Sequence, residues 1–126
     1  MKYSPHLEPS PLPFSPFKSC TVPRPIGWAS TVNGDGVANL APFSFFTVVC
    51  VIPPMNSLTI ARNPDGSEKH TLKNVRRNGE FCFNVVTQPV WKEMVDSANA
   101  IPEDDSEFEK TGLTPREREI CDALGP

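Results

Sequence analysis

The sequence predicts a mainly β domain with short helices, in which the helices pack against an antiparallel sheet or barrel. Three observations favour this fold class. Several short segments are rich in β-branched and aromatic residues and are bounded by Gly, Pro, Asn or Asp. One of the intervening turns has the composition of a tight β-hairpin. Finally, two short segments with helical spacing of apolar residues lie among the later strands.

The strands follow from turn chemistry and side-chain type. Residues 26–32 and 37–41 are predicted to form a hairpin around 33–36 (NGDG), because both glycines can adopt positive φ. Pro42 cannot donate to a ladder, so we expect a bulge or corner there. Residues 43–52 are nearly all apolar or β-branched, which predicts a strand buried on both faces. The remaining strands are expected at 57–61 and 80–86.

Two helices are predicted from apolar spacing. Residues 69–78 place Leu72 and Val75 on one side, and Gly79 is a favourable residue for ending the helix. Residues 90–98 carry an apolar stripe at helical spacing, which is more typical of a core or a subunit contact than of chemistry.

The two ends of the chain are expected to differ from this pattern. Residues 1–22 form a Pro-rich arm in which no helix is expected, and residues 23–126 form the single domain that this length supports. Beyond residue 99, an acidic run is typical of a solvated loop. Its members are Glu103, Asp104, Asp105, Glu107 and Glu109.

Composition argues against several classes of function. The net charge is −3, without the basic excess that nucleic-acid binding usually requires. No apolar run approaches the roughly 20 residues of a membrane helix. The N-terminus has no apolar core like that of a signal peptide, so a cytoplasmic location is expected. The four cysteines lie far apart without a C-x-x-C motif, so neither a disulfide framework nor a metal site is expected.

No motif of a phosphate-binding loop, a zinc protease or a nucleophile elbow is present, and we predict no catalytic side chain. A Cys–His pair through His70 has no support in the spacing. Polar residues inside the predicted strands are the remaining candidates. Ser30 and Thr31 point to opposite faces of their strand, and either of them could converge with Asn39 and Ser44 at one end of the sheet.

The start of the first predicted helix is positively charged. Arg62, Lys69 and Thr71 surround it, and a helix N-terminus favours anions. An apolar wall with a few hydroxyl and amide groups and a cationic end suits a flat ring that carries a phosphate. An ordinary alternative stays open, because Ser and Thr are common in strands and Thr71 is a good N-cap residue.

Three blocks, in this order, carry a resemblance to a known family. The first is RPIGWASTVNGDGVANLAPFSFF at 24–46, followed by Pro53 and Pro54. The second is KHTLKNVRRNGEFCFNVV at 69–86, and the third is SEFEKTGLTP at 106–115. Together they resemble the flavin reductase-like proteins with the FMN-binding split barrel.

The resemblance implies a Greek-key-like split β-barrel with external helices, which binds FMN near the interface of a homodimer. It also implies hydride transfer from NAD(P)H to the flavin, a reaction that needs no prominent side-chain acid or base. The implied cofactor contacts fall into two sets. Ser30, Thr31, Asn39, Ala41 and Ser44 line the isoalloxazine and ribityl chain, and Arg62, Lys69 and Thr71 bind the phosphate.

Two departures from the family pattern bear on activity. His70 stands where the family usually has Asp, which bears on flavin preference. The family pattern also continues for several strands beyond Pro126, so we expect the barrel to be incomplete at the C-terminus and the chain to be a portion of such an enzyme. Two alternatives to an oxidoreductase remain: a non-catalytic flavin-binding module, and a dimerisation module whose Trp91 helix packs on a partner chain.

Overall fold

The computed structural model describes residue 10 and residues 12–115. Within them, five strands form two antiparallel sheets, and short helices lie between and around them. The three-stranded sheet has the order β2-β1-β5, and the second sheet pairs β3 with β4. The strands are β1 (Gly27–Val32), β2 (Ala38–Phe43), β3 (Phe46–Cys50), β4 (Met55–Leu58) and β5 (Cys82–Asn84).

The described helices are all short. α2 is the longest, and it ends at Gly79, whose φ of 75° is the left-handed conformation that favours glycine. The segment predicted as a helix at 90–98 is a 3₁₀ turn followed by α3. The helices are α1 (Pro16–Ser19), α2 (His70–Asn78), the 3₁₀ turn (Gln88–Val90), α3 (Trp91–Asp96) and α4 (Glu107–Thr111).

The predicted first hairpin is confirmed. Asn33 Oδ1 accepts hydrogen bonds from the N–H groups of Asp35 and Val37, each at 2.9 Å, which closes the turn. The bulge or corner predicted at Pro42 is wrong, because the register runs unbroken, pairs Pro42 with Trp28 and continues to Phe43, where β2 ends. β2 is an edge strand of its sheet in the described part of the chain, and proline is tolerated where its missing N–H faces a free edge.

The prediction that residues 43–52 form a strand buried on both faces is wrong. β3 begins only at Phe46, and Val48 and Val49 are 64% and 58% exposed. β3 and β4 form a two-stranded hairpin without a third strand among the described residues. Its contact with the larger sheet runs through Phe46, whose ring stacks on Phe83 with 4.7 Å between the centroids.

Two further expectations need correction. A short helix, α1, lies in the arm where none was expected, because Pro16 stands at its first turn, where the missing N–H costs nothing. The acidic run is not wholly a solvated loop, because it includes α4 and because Glu107 is only 6% exposed. The part of the arm at residues 1–9 lies outside the described residues, as does Cys121.

The core is small and centres on β1 and β2. Trp28, Ala29, Leu40 and Phe43 are its buried apolar side chains among the described residues. The indole N–H of Trp28 donates to Ser97 Oγ at 3.0 Å, which fixes the end of α3 to one face of the sheet. α2 packs on the opposite face, and so the sheet positions the start of that helix.

Candidate functional site

Four polar side chains from three elements meet beneath the first turn of α2. Asn39 Nδ2 donates to Thr31 Oγ1 at 3.2 Å and to Thr71 Oγ1 at 3.0 Å. Asn74 Nδ2 donates to Thr31 Oγ1 at 3.0 Å. All four are buried, and Thr71 is only 1% exposed. We name this set, Thr31, Asn39, Thr71 and Asn74, the amide–hydroxyl cluster.

The strand alternation explains why these residues meet. Thr31 lies directly opposite Asn39 in the β1–β2 register, so their side chains share the face on which α2 packs. The structure therefore brings together three of the residues predicted for the site, Thr31, Asn39 and Thr71. Asn74, the fourth member, was missed by sequence reasoning, although its position three residues after Thr71 on a helix was a usable signal.

Ser30 lies on the other face of β1. Its hydroxyl accepts a hydrogen bond from Asn84 Nδ2 at 3.1 Å, and the same amide donates to the carbonyl of Trp28 at 3.0 Å. Ser30 and Thr31 therefore do not belong to one cluster, as the period of two along a strand requires. Of the two sequence alternatives, Thr31 is the residue that meets Asn39.

Ala41 and Ser44 lie farther along the same chain segment. Ala41 pairs with Ala29 in the sheet and is half-buried. Ser44 is half-buried in the short link between β2 and β3. Both stand near the point where the chain leaves the sheet for the exposed hairpin. Their predicted contacts with a cofactor stay a prediction.

The start of α2 is cationic and uncapped by side chains. Lys69 is the N-cap residue, and no side-chain capping bond is made there. Lys69 is exposed, and the first turn carries no acidic residue. Thr71 is not the N-cap, because it lies inside the first turn and its hydroxyl accepts the bond from Asn39.

Arg62 lies near this helix start but is engaged by a neighbouring carboxylate. Its Nη2 is 2.9 Å from Glu68 Oε1, and its Nη1 donates to the carbonyl of Gly66 at 3.0 Å. Arg76, on α2, contacts the same Glu68 oxygen. Two guanidinium groups thus converge on one carboxylate beside Lys69, and the side chain of Arg62 remains 55% exposed.

A polar cleft of about 310 Å³ lies on another side of α2, and the residues predicted for the site do not line it. Lys73 Nζ lies 2.5 Å from Glu103 Oε2 at its wall. The hydrogen bond from Lys73 holds the pKa of Glu103 below the ordinary glutamate value of 4.5. The cleft carries both signs of charge, with Asp35 and Asp104 beside Arg77.

Residue 10 and residues 12–115 contain no group of three or more His, Cys, Asp or Glu side chains that could hold a metal ion. Cys20, Cys50 and Cys82 are free thiols. No helix of the described ranges has both the length and the apolar character that crossing a bilayer requires.

Solved structures share this fold, and two of them serve as examples. Nitrilotriacetate monooxygenase component B from Bacillus cereus superposes with a TM-score of 0.77 at 29% identity, over 90% of this chain and 59% of that one. A Shewanella frigidimarina protein assigned as a flavin reductase with a split barrel domain gives a TM-score of 0.66 at 28% identity, over 77% of this chain and 46% of that one. The predicted split-barrel fold class is confirmed, although the described strands do not close a barrel.

Sequence comparison agrees with the fold. An uncharacterized protein of Aquifex aeolicus (strain VF5) is 46% identical over 94 residues, which are 75% of this chain and 48% of that protein. The chain thus spans about half the length of this relative. The model of the flavin reductase like domain matches residues 19–124. The chain therefore belongs to the flavin reductase-like family.

Proposed function

We propose that this chain is the FMN-binding portion of an oxidoreductase of the flavin reductase type, which transfers hydride from NAD(P)H to flavin. Family membership supports a flavin-related role. The observation that carries the choice of a phosphorylated flavin is the start of α2, which is cationic and lacks a side-chain cap. Because the chain spans about half of its relative's length, the activity of the whole protein is part of this proposal.

The donor set at α2 fits a phosphate. The first backbone N–H groups of a helix have no partner within the helix and attract anions, as does the helix dipole. Lys69 adds an exposed ammonium group, and Arg62 adds a half-exposed guanidinium nearby. The hydrogen bond between Thr71 and Asn39 would hold the first turn of α2 in place for this phosphate site. Because the hydroxyl of Thr71 is buried, Lys69 and Arg62 are the more accessible of the proposed phosphate ligands.

The polar residues of the sheet fit the remainder of the cofactor. A flavin presents carbonyl groups, ring nitrogens and sugar hydroxyls, which need hydrogen-bond partners when they are buried. Ser30, Thr31, Asn39, Ala41 and Ser44 are the proposed residues on this side. The amide–hydroxyl cluster would hold β1, β2 and α2 in fixed relative positions, so that the backbone around Ala41 and Ser44 faces the ring.

The bound flavin would supply the redox chemistry by accepting hydride from the nicotinamide. The chain's own residues would then bind the cofactor, orient it and keep water from its ring. This division of labour asks for hydroxyls, amides and cations around the cofactor rather than for a catalytic acid or base. His70, at the first position of α2, adds a donor beside the phosphate seat.

We further propose a homodimer in the cytoplasm. The β3–β4 hairpin exposes Val49 and Met55, and the turn between the strands exposes Val51 and Ile52, at 75% and 89%. Exposed apolar patches of this kind mark contact surfaces. A second copy placed on this hairpin would bury them. Analytical ultracentrifugation of the wild type and Val49→Asp would test the assignment, with a monomeric variant as the expected result.

A non-catalytic flavin-binding or dimerisation module is the second candidate. The observation that favours it is the described architecture, in which two small sheets leave the hairpin surface uncovered. One experiment separates the candidates: FMN is added to the purified protein, and its absorption and NADH or NADPH oxidation are recorded. Binding with turnover supports the oxidoreductase, binding without turnover supports the flavin module, and a dimer that binds no FMN supports the dimerisation module.

A further inference from the structure

In the described part of the chain, two side chains rather than a strand occupy the outer edge of β2. β2 pairs with β1 on one side, and no described strand pairs with its other edge. In an antiparallel pair, backbone groups two residues apart point to the same side of the strand. The carbonyl of Ala38 and the N–H of Leu40 therefore share one edge, and both find partners next to the start of α4.

These partners are Ser106 and Glu107. Ser106 Oγ donates to the carbonyl of Ala38 at 2.5 Å, and the N–H of Leu40 donates to Glu107 Oε2 at 2.9 Å. Ser106 is 8% exposed, Glu107 6% and Leu40 1%. We name Ser106 and Glu107 the edge clamp. One donor and one acceptor thus occupy positions on the β2 edge that a neighbouring strand would otherwise use.

The two side chains of the clamp are expected to contribute substantially to the stability of the fold. A buried N–H group that loses its partner is costly, and a hydrogen bond to a carboxylate is stronger than a neutral one. Leu40 lies 67 positions before Glu107 in the chain, so the clamp ties α4 to a strand that is distant in sequence.

Asn39 lies between the two clamped residues. Its side chain points towards α2, and its amide donates hydrogen bonds to the hydroxyls of Thr31 and Thr71. We propose that Glu107 is a positioning residue of the flavin site: it holds β2 in place so that Asn39 reaches the first turn of α2. This inference rests on the proposed function for its effect on flavin, but its effect on Asn39 can be measured without flavin.

The test compares Glu107→Ala, Glu107→Gln and the control Glu109→Ala. Glu109 is exposed on the same helix, and glutamine retains an oxygen that can accept from Leu40. In Glu107→Ala we expect the Leu40 amide to lose protection from hydrogen exchange and the Asn39 side-chain amide resonances to shift. We also expect the FMN dissociation constant to rise roughly tenfold, equivalent to about 1.4 kcal/mol. Glu107→Gln and Glu109→Ala should stay within about twofold of the wild type.

A double-mutant cycle separates positioning from general destabilisation. In the Asn39→Ala background, Glu107→Ala should no longer change FMN affinity, because its effect passes through Asn39. An equal loss in both backgrounds overturns the proposal. So does a folded Glu107→Ala variant with unchanged Asn39 resonances.

Two further outcomes are also decisive. If the wild type does not bind FMN, the proposed function fails, and the Asn39 resonances alone decide whether Glu107 positions β2. If Glu107→Ala does not fold, Ser106→Ala replaces it, since it removes only the hydroxyl end of the clamp. A shift of the Asn39 side-chain amide resonances between the wild type and Ser106→Ala supports the proposal, and unchanged resonances overturn it.

Discussion

Asn39 and Thr71, which are 32 positions apart in the chain, are joined by a buried hydrogen bond of 3.0 Å. This bond links an edge strand of the sheet to the first turn of α2. Thr31 lies on the adjacent strand and accepts from both Asn39 and Asn74. The cationic start of the helix therefore stands at a position that three separate elements determine.

Asn39→Ala should destabilise the fold by about 1–3 kcal/mol, because the hydroxyls of Thr31 and Thr71 lose a buried donor. Urea denaturation measures the change in the free energy of unfolding. Asn99→Ala is the matched control, since Asn99 is exposed and its amide donates to the nearby carbonyl of Asp96. Equal stability losses in the two variants would contradict the role of the cluster.

Gly27→Ala should lower the melting temperature, because the added Cβ would lie 2.7 Å from a ring carbon of Phe46 and 2.9 Å from Leu58. Both atoms belong to the contact between the hairpin and the sheet, and overpacking of this kind costs about 1–3 kcal/mol. Gly34→Ala is the control, because the three atoms nearest to its Cβ would all belong to the end of the exposed Arg77 side chain, which can move away. A thermal scan in which Gly34→Ala is the less stable variant would refute this packing account.

Ser97→Ala should destabilise the protein by about 1–3 kcal/mol and alter its tryptophan fluorescence. Ser97 is 2% exposed and accepts the indole N–H of Trp28, which the alanine would leave buried without this partner. Ser57→Ala, at an exposed position of β4, should change stability by less than about 0.5 kcal/mol. An unchanged fluorescence spectrum in a fully stable Ser97→Ala would rule out this role of Ser97.

Lys73→Ala should raise the pKa of Glu103 toward its ordinary value, because the hydrogen bond from Lys73 is the main cause of the depression. A depressed carboxyl pKa stabilises the fold above the unfolded-state value of 4.5, and this contribution is lost as pH falls through the folded-state value. NMR titration of the Glu103 carboxyl carbon measures the shift. Arg77→Ala serves as the comparison, and an identical Glu103 titration in wild type and Lys73→Ala would contradict the assignment.

The parts of the fold that local chemistry determines could be predicted from the sequence. The β1–β2 hairpin follows from its Asn-Gly-Asp-Gly turn, and α2 follows from its apolar spacing and from Gly79. The exposure of Val48 and Val49 could not be predicted, because hydrophobicity does not reveal which element covers a strand. For this reason the sequence predicts a strand buried on both faces at 43–52, where the structure has an exposed hairpin.

The candidate site was predictable in part. Thr31, Asn39 and Thr71 meet, as strand alternation and the helix start suggested, and Ser30, the alternative to Thr31, lies on the other face of β1. Glu107 was assigned to a solvated loop because its partner, the N–H of Leu40, is distant in the chain. Pairing of a charged side chain with a distant backbone group leaves no periodic signal in the sequence.

The central claim is that the start of α2 holds the phosphate of a flavin. Isothermal titration of the wild type, Lys69→Ala and the control Lys92→Ala with FMN and with riboflavin tests it most directly. We expect the wild type to prefer FMN, and Lys69→Ala to weaken FMN by about 1–3 kcal/mol while leaving riboflavin unchanged, with Lys92→Ala like the wild type. Equal affinities of the wild type for FMN and riboflavin, or an FMN affinity that does not depend on Lys69, would contradict the claim.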